Sequence, residues 1–254
     1  MSLYVFDFDG VLFDTARECL AIAYAAVRKL PDASFERWRR RETPPDDVAA
    51  QFLSNRHWVG PPWQYAVLLE CIATARLPSS TAGFLTIANA RKAELESFTE
   101  LYFATRGELS QDVERWCSVI QPYRPSVTAF RRLHSVGRAA ILSTRDDSSI
   151  RRIVGHFLGV NDLMLLPRSG EFEKWEILLE TASNCELSPR SIFFLDDYVQ
   201  HALPALQHGI AAHLALWGYL GGEDVYNARA GGLPCVELID LDRALARHEE
   251  ELDS

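Results

Sequence analysis

Five short stretches, LYVF (3–6), AAIL (139–142), LMLL (163–166), IFFL (192–195) and AAHLAL (211–216), are almost unbroken apolar runs. They do not alternate apolar with polar residues, so they suit strands covered on both faces rather than strands with one wet side. The segments between them carry helical spacing. SVTAFRRLH (126–134) has apolar residues at Val127, Phe130 and Leu133, and 149–158 and 174–185 behave alike. Strand and helix in alternation predict an α/β fold with a doubly wound parallel sheet.

The polar residues at the ends of these runs narrow the possibilities. LYVF leads into Asp7 and Asp9, AAIL into Ser143, Thr144, Arg145 and Asp146, and IFFL into Asp196 and Asp197. LMLL leads into Arg168, Ser169 and, after a short loop, Lys174. Ligands of open α/β sheets bind outside the carboxyl ends of the strands. Four strand ends would thus bring two acidic pairs, a hydroxyl pair and a lysine to one edge.

Residues 15–120 lack that rhythm and read as helical, with ECLAIAYAAVRKL (18–30), WQYAVLLECIATARL (63–77) and AELESFTELYFATR (93–106) as helices. Thr15 and Glu18 have capping-box spacing at the start of the first. RETPPDD and VGPPW break the pattern as loops. Two domains are expected: an α/β core from 1–14 and 121–254, and a helical domain from 15–120.

The formal charge of −9 over 254 residues argues against nonspecific nucleic-acid or anionic-membrane partners. No apolar stretch is long enough for a bilayer. The start, MSLYVFDFD, lacks the basic segment and cleavage site of a signal peptide. Cys19, Cys71, Cys117, Cys185 and Cys235 are scattered, odd in number and free of CxxC spacing, which suits buried reduced thiols in a cytoplasmic protein.

Asp7, Asp9, Asp196 and Asp197 would repel one another unless a cation neutralised them. With hard oxygen ligands and no His/Cys set, Mg2+ is the natural ion. A phosphate dianion could then approach, and a carboxylate could attack phosphorus. A second carboxylate would protonate the leaving alcohol and activate water. A hydroxyl at 143 or 144 and Lys174 would stabilise the transferring group. Gly10 fits a sharp turn beyond the strand.

DFDGVLFDT (7–15), ILST (141–144), Lys174 and FLDD (194–197) resemble, in order, the four motifs of the haloacid dehalogenase-like phosphatase superfamily. VGPPW (59–63) resembles the specificity loop of its helical caps, and LWGYL (216–220) with 230–245 resembles the end of phosphoglycolate-phosphatase-like members. The resemblance implies a Rossmann-like core with a helical cap closing over it. It implies Asp7 as nucleophile, Asp9 as general acid/base whose carbonyl also ligates the metal, Ser143 as phosphate-binding hydroxyl and Lys174 as charge stabiliser. Asp196 and Asp197 would be the acidic pair, with Asp197 favoured as the direct ligand. True dehalogenases lack an aspartate at the position of Asp9, so the implied activity is phosphoryl transfer.

Thr144, Arg145 and, in the cap, Arg56 and His57 are candidate substrate contacts, with Trp58 and Trp63 able to stack on an organic leaving group or to serve as cap core. Arg145 could equally form a surface ion pair. The expected activity is Mg2+-dependent hydrolysis of a small phosphorylated metabolite by a monomer or homodimer. Rivals are a mutase, a phosphonatase using Lys29 or Lys92, and a non-catalytic binding module on the same fold.

Overall fold

A computed structural model describes residues 2–95, 97–167 and 173–253. The chain divides into two compact units, Met1–Asp14 with Gln121–Ser254, and Thr15–Ile120. Among the described residues the first holds seven strands: β1 (Leu3–Phe6), β2 (Phe13–Asp14), β3 (Gln121–Pro122), β4 (Ala139–Ile141), β5 (Ile192–Asp196), β6 (Ala211–Ala215) and β7 (Cys235–Val236). Five of them form a parallel sheet in the order β4-β1-β5-β6-β7. After β1 the chain builds β4 on one side, then crosses to build β5 on the other. The crevice for a ligand in such a sheet lies at that reversal. Antiparallel β2 and β3 pair Asp14 with Gln121, so the chain leaves and returns to this unit at neighbouring points.

LMLL (163–166) is not a strand. Only Leu165 bridges to Ile141, flanked by hydrogen bonds from Ile141 N to Met164 O and from Leu166 N to Ile141 O. Met164 is largely exposed, so the run lacks the two covered faces that a full strand would need. Arg168 and Ser169 lie outside the described residues.

The second unit holds α1 (Ala16–Val27), α2 (Asp46–Ser54), α3 (Trp63–Ala73), α4 (Thr81–Leu95), α5 (Phe98–Leu109) and α6 (Val113–Cys117). The helix expected over 93–106 is divided between α4 and α5. Tyr24, Trp38, Phe52, Trp58, Phe84 and Tyr102 fill one apolar cluster, which places Trp58, and Trp63 with it, in this unit's core. Thr15 makes no side-chain cap bond. Glu18 instead turns inward, accepting from Trp116 Nε1 at 3.0 Å and pairing with Arg106 at 3.3 Å. A buried carboxylate needs such partners, and that need overrides the local capping pattern.

The first unit's helices are α7 (Arg124–His134), α8 (Asp147–Leu158), α9 (Lys174–Asn184), α10 (Val199–Gln207), α11 (Gly222–Ala230) and α12 (Leu241–Asp253). Side chains alternate across each strand, and in β1, β4 and β5 both sets are buried. Val5, Ala140, Phe194 and Leu214 pack with Leu178 of α9 and Ala202 of α10. On the other face Phe6 meets Phe130 of α7 edge-on at 5.7 Å, and Tyr4 meets His248 of α12 at 5.7 Å. Among the described residues the cysteines are unbridged; Cys19, Cys71 and Cys117 are buried, whereas Cys185, expected inside, is exposed just after α9. No described helix is long and apolar enough to cross a membrane.

His213 is half-buried on this face. Its ring stacks on Phe193 at 4.3 Å, and Nδ1 donates to the Ala211 carbonyl at 3.0 Å. Burial pushes its pKa down to about 4, and His248 and Arg247 add to the effect. Below about pH 6.5 the unfolded chain takes up a proton at this ring, while the folded chain takes it up only near pH 4. Acid therefore favours unfolding through this group, by about 3 kcal/mol across the window. His213→Phe keeps the stack and removes the proton uptake. Its stability relative to the unsubstituted protein should rise by about that amount between pH 7 and pH 4 in denaturant melts. Parallel stability curves for the two proteins would exclude this role.

Candidate active site

Register alone brings Asp7 and Asp196 together. Phe6 pairs with Leu195, and Asp7 N donates to Leu195 O at 2.8 Å, so the next residue on each strand is an aspartate. Neighbouring carboxylates at the ends of two buried strands are costly unless compensated. Lys174 compensates them: its Nζ donates to Asp7 Oδ1 at 2.8 Å and to Asp196 Oδ2 at 2.7 Å.

Lys174 opens α9, where Glu173 and Glu176 form a capping box. A lysine on the first turn has the wrong sign for the helix dipole, which favours acidic side chains there. A helix-start lysine with no role in the site would be solvated. Lys174 is only 6% exposed and points inward. Burial works against its charge, but Asp196 and Asp7 outweigh burial and lift its pKa above the usual lysine value.

The two carboxylates differ in environment. Burial pushes Asp7 up to about 6, with Lys174 opposing and the charges of Asp196 and Asp9 reinforcing. Burial acts on Asp196 in the same direction, but Lys174 and His201 overcome it and hold that carboxyl below the usual range. His201 Nδ1 lies 3.2 Å from Asp196 Oδ2, and Tyr198 N donates to Asp196 Oδ1 at 2.8 Å.

Asp197 is fixed by backbone. Tyr219 N donates to its Oδ2 at 2.6 Å. Gly10 (φ +83°) and Gly218 both lie so close that a Cβ at either would overlap the Asp197 side chain. Gly10 thus answers two demands, a left-handed turn and a near approach. The segment around Gly218 also braces the first loop: Trp217 Nε1 donates to Val11 O at 3.1 Å and Tyr219 Oη to Asp14 Oδ1 at 3.0 Å.

Oxygens of Asp7, Asp196 and Asp197 all lie within 4.8 Å of one another. Three hard oxygen donors, with no nitrogen or sulfur ligand grouped with them among the described residues, fit a hard divalent cation. Ser143, at the end of β4, is buried and its Oγ accepts from Arg145 N at 3.2 Å; Thr144 beside it is exposed. Arg145 reaches Asp9. Its Nε is 3.1 Å from both Asp9 oxygens, and Nη2 is 3.1 Å from Oδ1.

Asp7, Asp9, Ser143, Arg145, Asp196 and Asp197 therefore belong to the first unit's strand ends and the turns beside them, and Lys174 to the start of α9 in the same unit. Arg56 and His57 belong to the second unit. There Arg56 Nη1 donates to Val59 O at 2.8 Å and its guanidinium lies 5.2 Å over the Tyr65 ring, while His57 packs edge-on against Trp58. Sequence reasoning assigned no role to His201, Gly218 or Tyr219. For His201 a signal existed, a polar ring five residues after Asp196 on the next helix. Tyr219 acts on Asp197 through its backbone N–H, which leaves no mark on residue type.

No family model matches the chain, and no curated protein sequence does. Solved structures do. A predicted phosphoglycolate phosphatase from Haemophilus somnus superposes with a TM-score of 0.63 at 17% identity, over 96% of this chain and 97% of that one. A haloacid dehalogenase-like family hydrolase from Streptococcus pneumoniae gives 0.59 at 15% identity, over 96% and 98%. A candidate β-phosphoglucomutase from Thermotoga maritima gives 0.58 at 14% identity, over 97% and 99%. This chain has the α/β fold of the haloacid dehalogenase-like hydrolases.

Proposed function

We propose that the chain is a Mg2+-dependent phosphatase that hydrolyses a small phosphorylated metabolite through an aspartyl-phosphate on Asp7. The observation that carries this reading is a buried Asp7 held by Lys174 beside Asp196 and Asp197, at the reversal point of the sheet. A purely structural ion pair would not need a third carboxylate, Asp197, grouped with the two that share the Lys174 ammonium.

Asp7, Asp196 and Asp197, with the Asp9 carbonyl, would hold the ion. Asp196 already accepts from Lys174, His201 and Tyr198, which favours Asp197 as the more direct ligand. Bound Mg2+ supplies charge screening for an incoming phosphate dianion.

The chain's own residues then divide the work. An Asp7 carboxylate oxygen forms a bond to phosphorus as the bond from phosphorus to the leaving oxygen breaks. Asp9, protonated at that moment, gives its proton to the leaving oxygen. The Ser143 hydroxyl donates to a phosphoryl oxygen, and Lys174 holds positive charge against Asp7 as negative charge gathers. Asp9, now ionised, takes a proton from water attacking phosphorus. Phosphate leaves, and both carboxyl groups return to their starting states.

The test is phosphate release from p-nitrophenyl phosphate and a panel of phosphorylated metabolites. Turnover should vanish in a chelator, return with Mg2+ and not return with Ca2+, whose looser coordination suits a compact site poorly. A mutase would instead give an isomeric phosphate ester with little free phosphate. Absence of turnover across the whole panel would favour a binding module on this fold.

A further inference from the structure

Resting on the phosphatase reading above, we infer that Arg145 is a positioning residue for Asp9 and not an anchor for the substrate anion. A guanidinium that receives substrate phosphate is expected to be accessible and weakly engaged. Arg145 is the opposite. Its side chain is 1% exposed, its Nε is shared equally by both Asp9 oxygens, and the guanidinium lies 5.6 Å from the centre of the Phe8 ring. Moving it onto a phosphate would strip Asp9 of this partner and leave a carboxylate uncompensated beside Asp7.

The base of the side chain is equally constrained. Arg145 sits in a short turn between β4 and α8. At one end Ser143 Oγ accepts the Arg145 N–H. At the other, Asp146 caps α8, its Oδ1 accepting from Ser149 N at 2.9 Å. A planar fork on so fixed a stem holds a carboxylate in one orientation, which a flexible ammonium cannot do. Asp9 meanwhile keeps a side chain 21% exposed, so the carboxylate is gripped by Arg145 without being fully buried. One turn thus supplies the phosphate-facing hydroxyl of Ser143 and the grip on the proton donor. The separation between the two is thereby set by a rigid piece of backbone. Small displacements of a reacting group cost rate steeply, which gives the grip its value.

The experiment uses two esters that differ in their need for a proton. p-Nitrophenolate leaves readily without one; an alkoxide does not. For Arg145→Met, kcat/KM should fall about tenfold to a hundredfold on an alkyl phosphate and by less than about threefold on p-nitrophenyl phosphate. The inhibition constant of inorganic phosphate should stay unchanged, because ground-state anion binding is not this residue's task. On the alkyl ester, Asp9→Asn with Arg145→Met should be no worse than Asp9→Asn alone, as expected when one residue acts through the other. Arg145→Lys keeps the charge without the fork. It serves where the Met variant fails to fold, and should show an intermediate loss confined to the alkyl ester. Equal losses on both esters, or a raised KM with weaker phosphate inhibition, would overturn the inference and make Arg145 a phosphate ligand. Wild-type protein inert toward both esters is a separate result, seen before any variant is made, and it would remove the phosphatase reading itself.

Discussion

Asp7→Asn is expected to end phosphate release, lowering kcat by about a thousandfold or more, while leaving the protein folded. The two halves of that expectation both follow from replacing the Asp7 carboxylate by a neutral amide. Asp7 is only 7% exposed, and burial pushes its carboxyl up to about 6. The folded state therefore disfavours the ionised form relative to the unfolded chain. At neutral pH, above both values, ionised Asp7 subtracts from stability. Asparagine has the same shape and no charge to desolvate, and Lys174 keeps Asp196 as a partner. The variant should unfold at the same temperature as the original protein or higher, a trade of stability for function. An amide oxygen is a poor nucleophile toward phosphorus, so residual turnover should be near background. Calorimetry beside a phosphate assay checks both halves. A folded Asp7→Asn protein with near-normal turnover would remove Asp7 from the chemistry.

Legibility in the sequence depended on the range of the interactions. The strands β1, β4 and β5 announce themselves because burial on both faces demands continuous apolar residues, a purely local signal. The aspartates beyond β1 and β5 converge because parallel pairing in register carries the next residue of each strand to the same place. The first fact is local; the second needs only the register of two strands that lie far apart in the chain. LMLL shows the limit of such reasoning: composition marked it as strand-forming, but it makes only the Leu165 bridge to Ile141. The same limit applies at Glu18, where capping-box spacing met a buried ion pair with Arg106, and the tertiary partner won.

The site was legible where side-chain chemistry alone defines it, and illegible where position does. Asp7, Lys174, Asp196 and Asp197 can be read as an acidic cluster that one lysine only partly offsets. The grip of Gly10, Gly218 and Tyr219 on Asp197 cannot, because it consists of missing Cβ atoms and a backbone N–H. Arg145 falls between. Sequence placed it at the right strand end and left its partner open. Only the direction of the side chain, set by the turn it stands on, sends the guanidinium to Asp9.

Lys174→Met is expected to lower stability at neutral pH by about 3–5 kcal/mol, and to lower turnover as well. The change removes one ammonium from between two buried carboxylates, Asp7 Oδ1 at 2.8 Å and Asp196 Oδ2 at 2.7 Å, and offers a thioether of similar length in its place. Packing is nearly conserved, so the loss measures charge. In the original protein Lys174 and His201 hold Asp196 ionised against its burial. That depressed carboxyl contributes stability at neutral pH and loses it only in acid, as the pH falls toward the folded value. Without the lysine the balance reverses: both carboxyls are pushed upward, and protonation in mild acid relieves the strain. The deficit of the variant should therefore be greatest near pH 7 and shrink toward pH 5. Millimolar Mg2+ should restore part of the lost stability, since a divalent ion held by Asp7, Asp196 and Asp197 replaces the missing charge, and a concentration a hundredfold above its Kd adds about 2.7 kcal/mol. Turnover should stay low in the same samples, because in the proposed mechanism Lys174 also holds charge against Asp7 during transfer. Thermal melts of the variant across pH and Mg2+ read these effects separately. If the variant melts with the original protein at every pH, Lys174 is not what makes the acidic cluster tolerable, and some other cation of the fold must be carrying that charge.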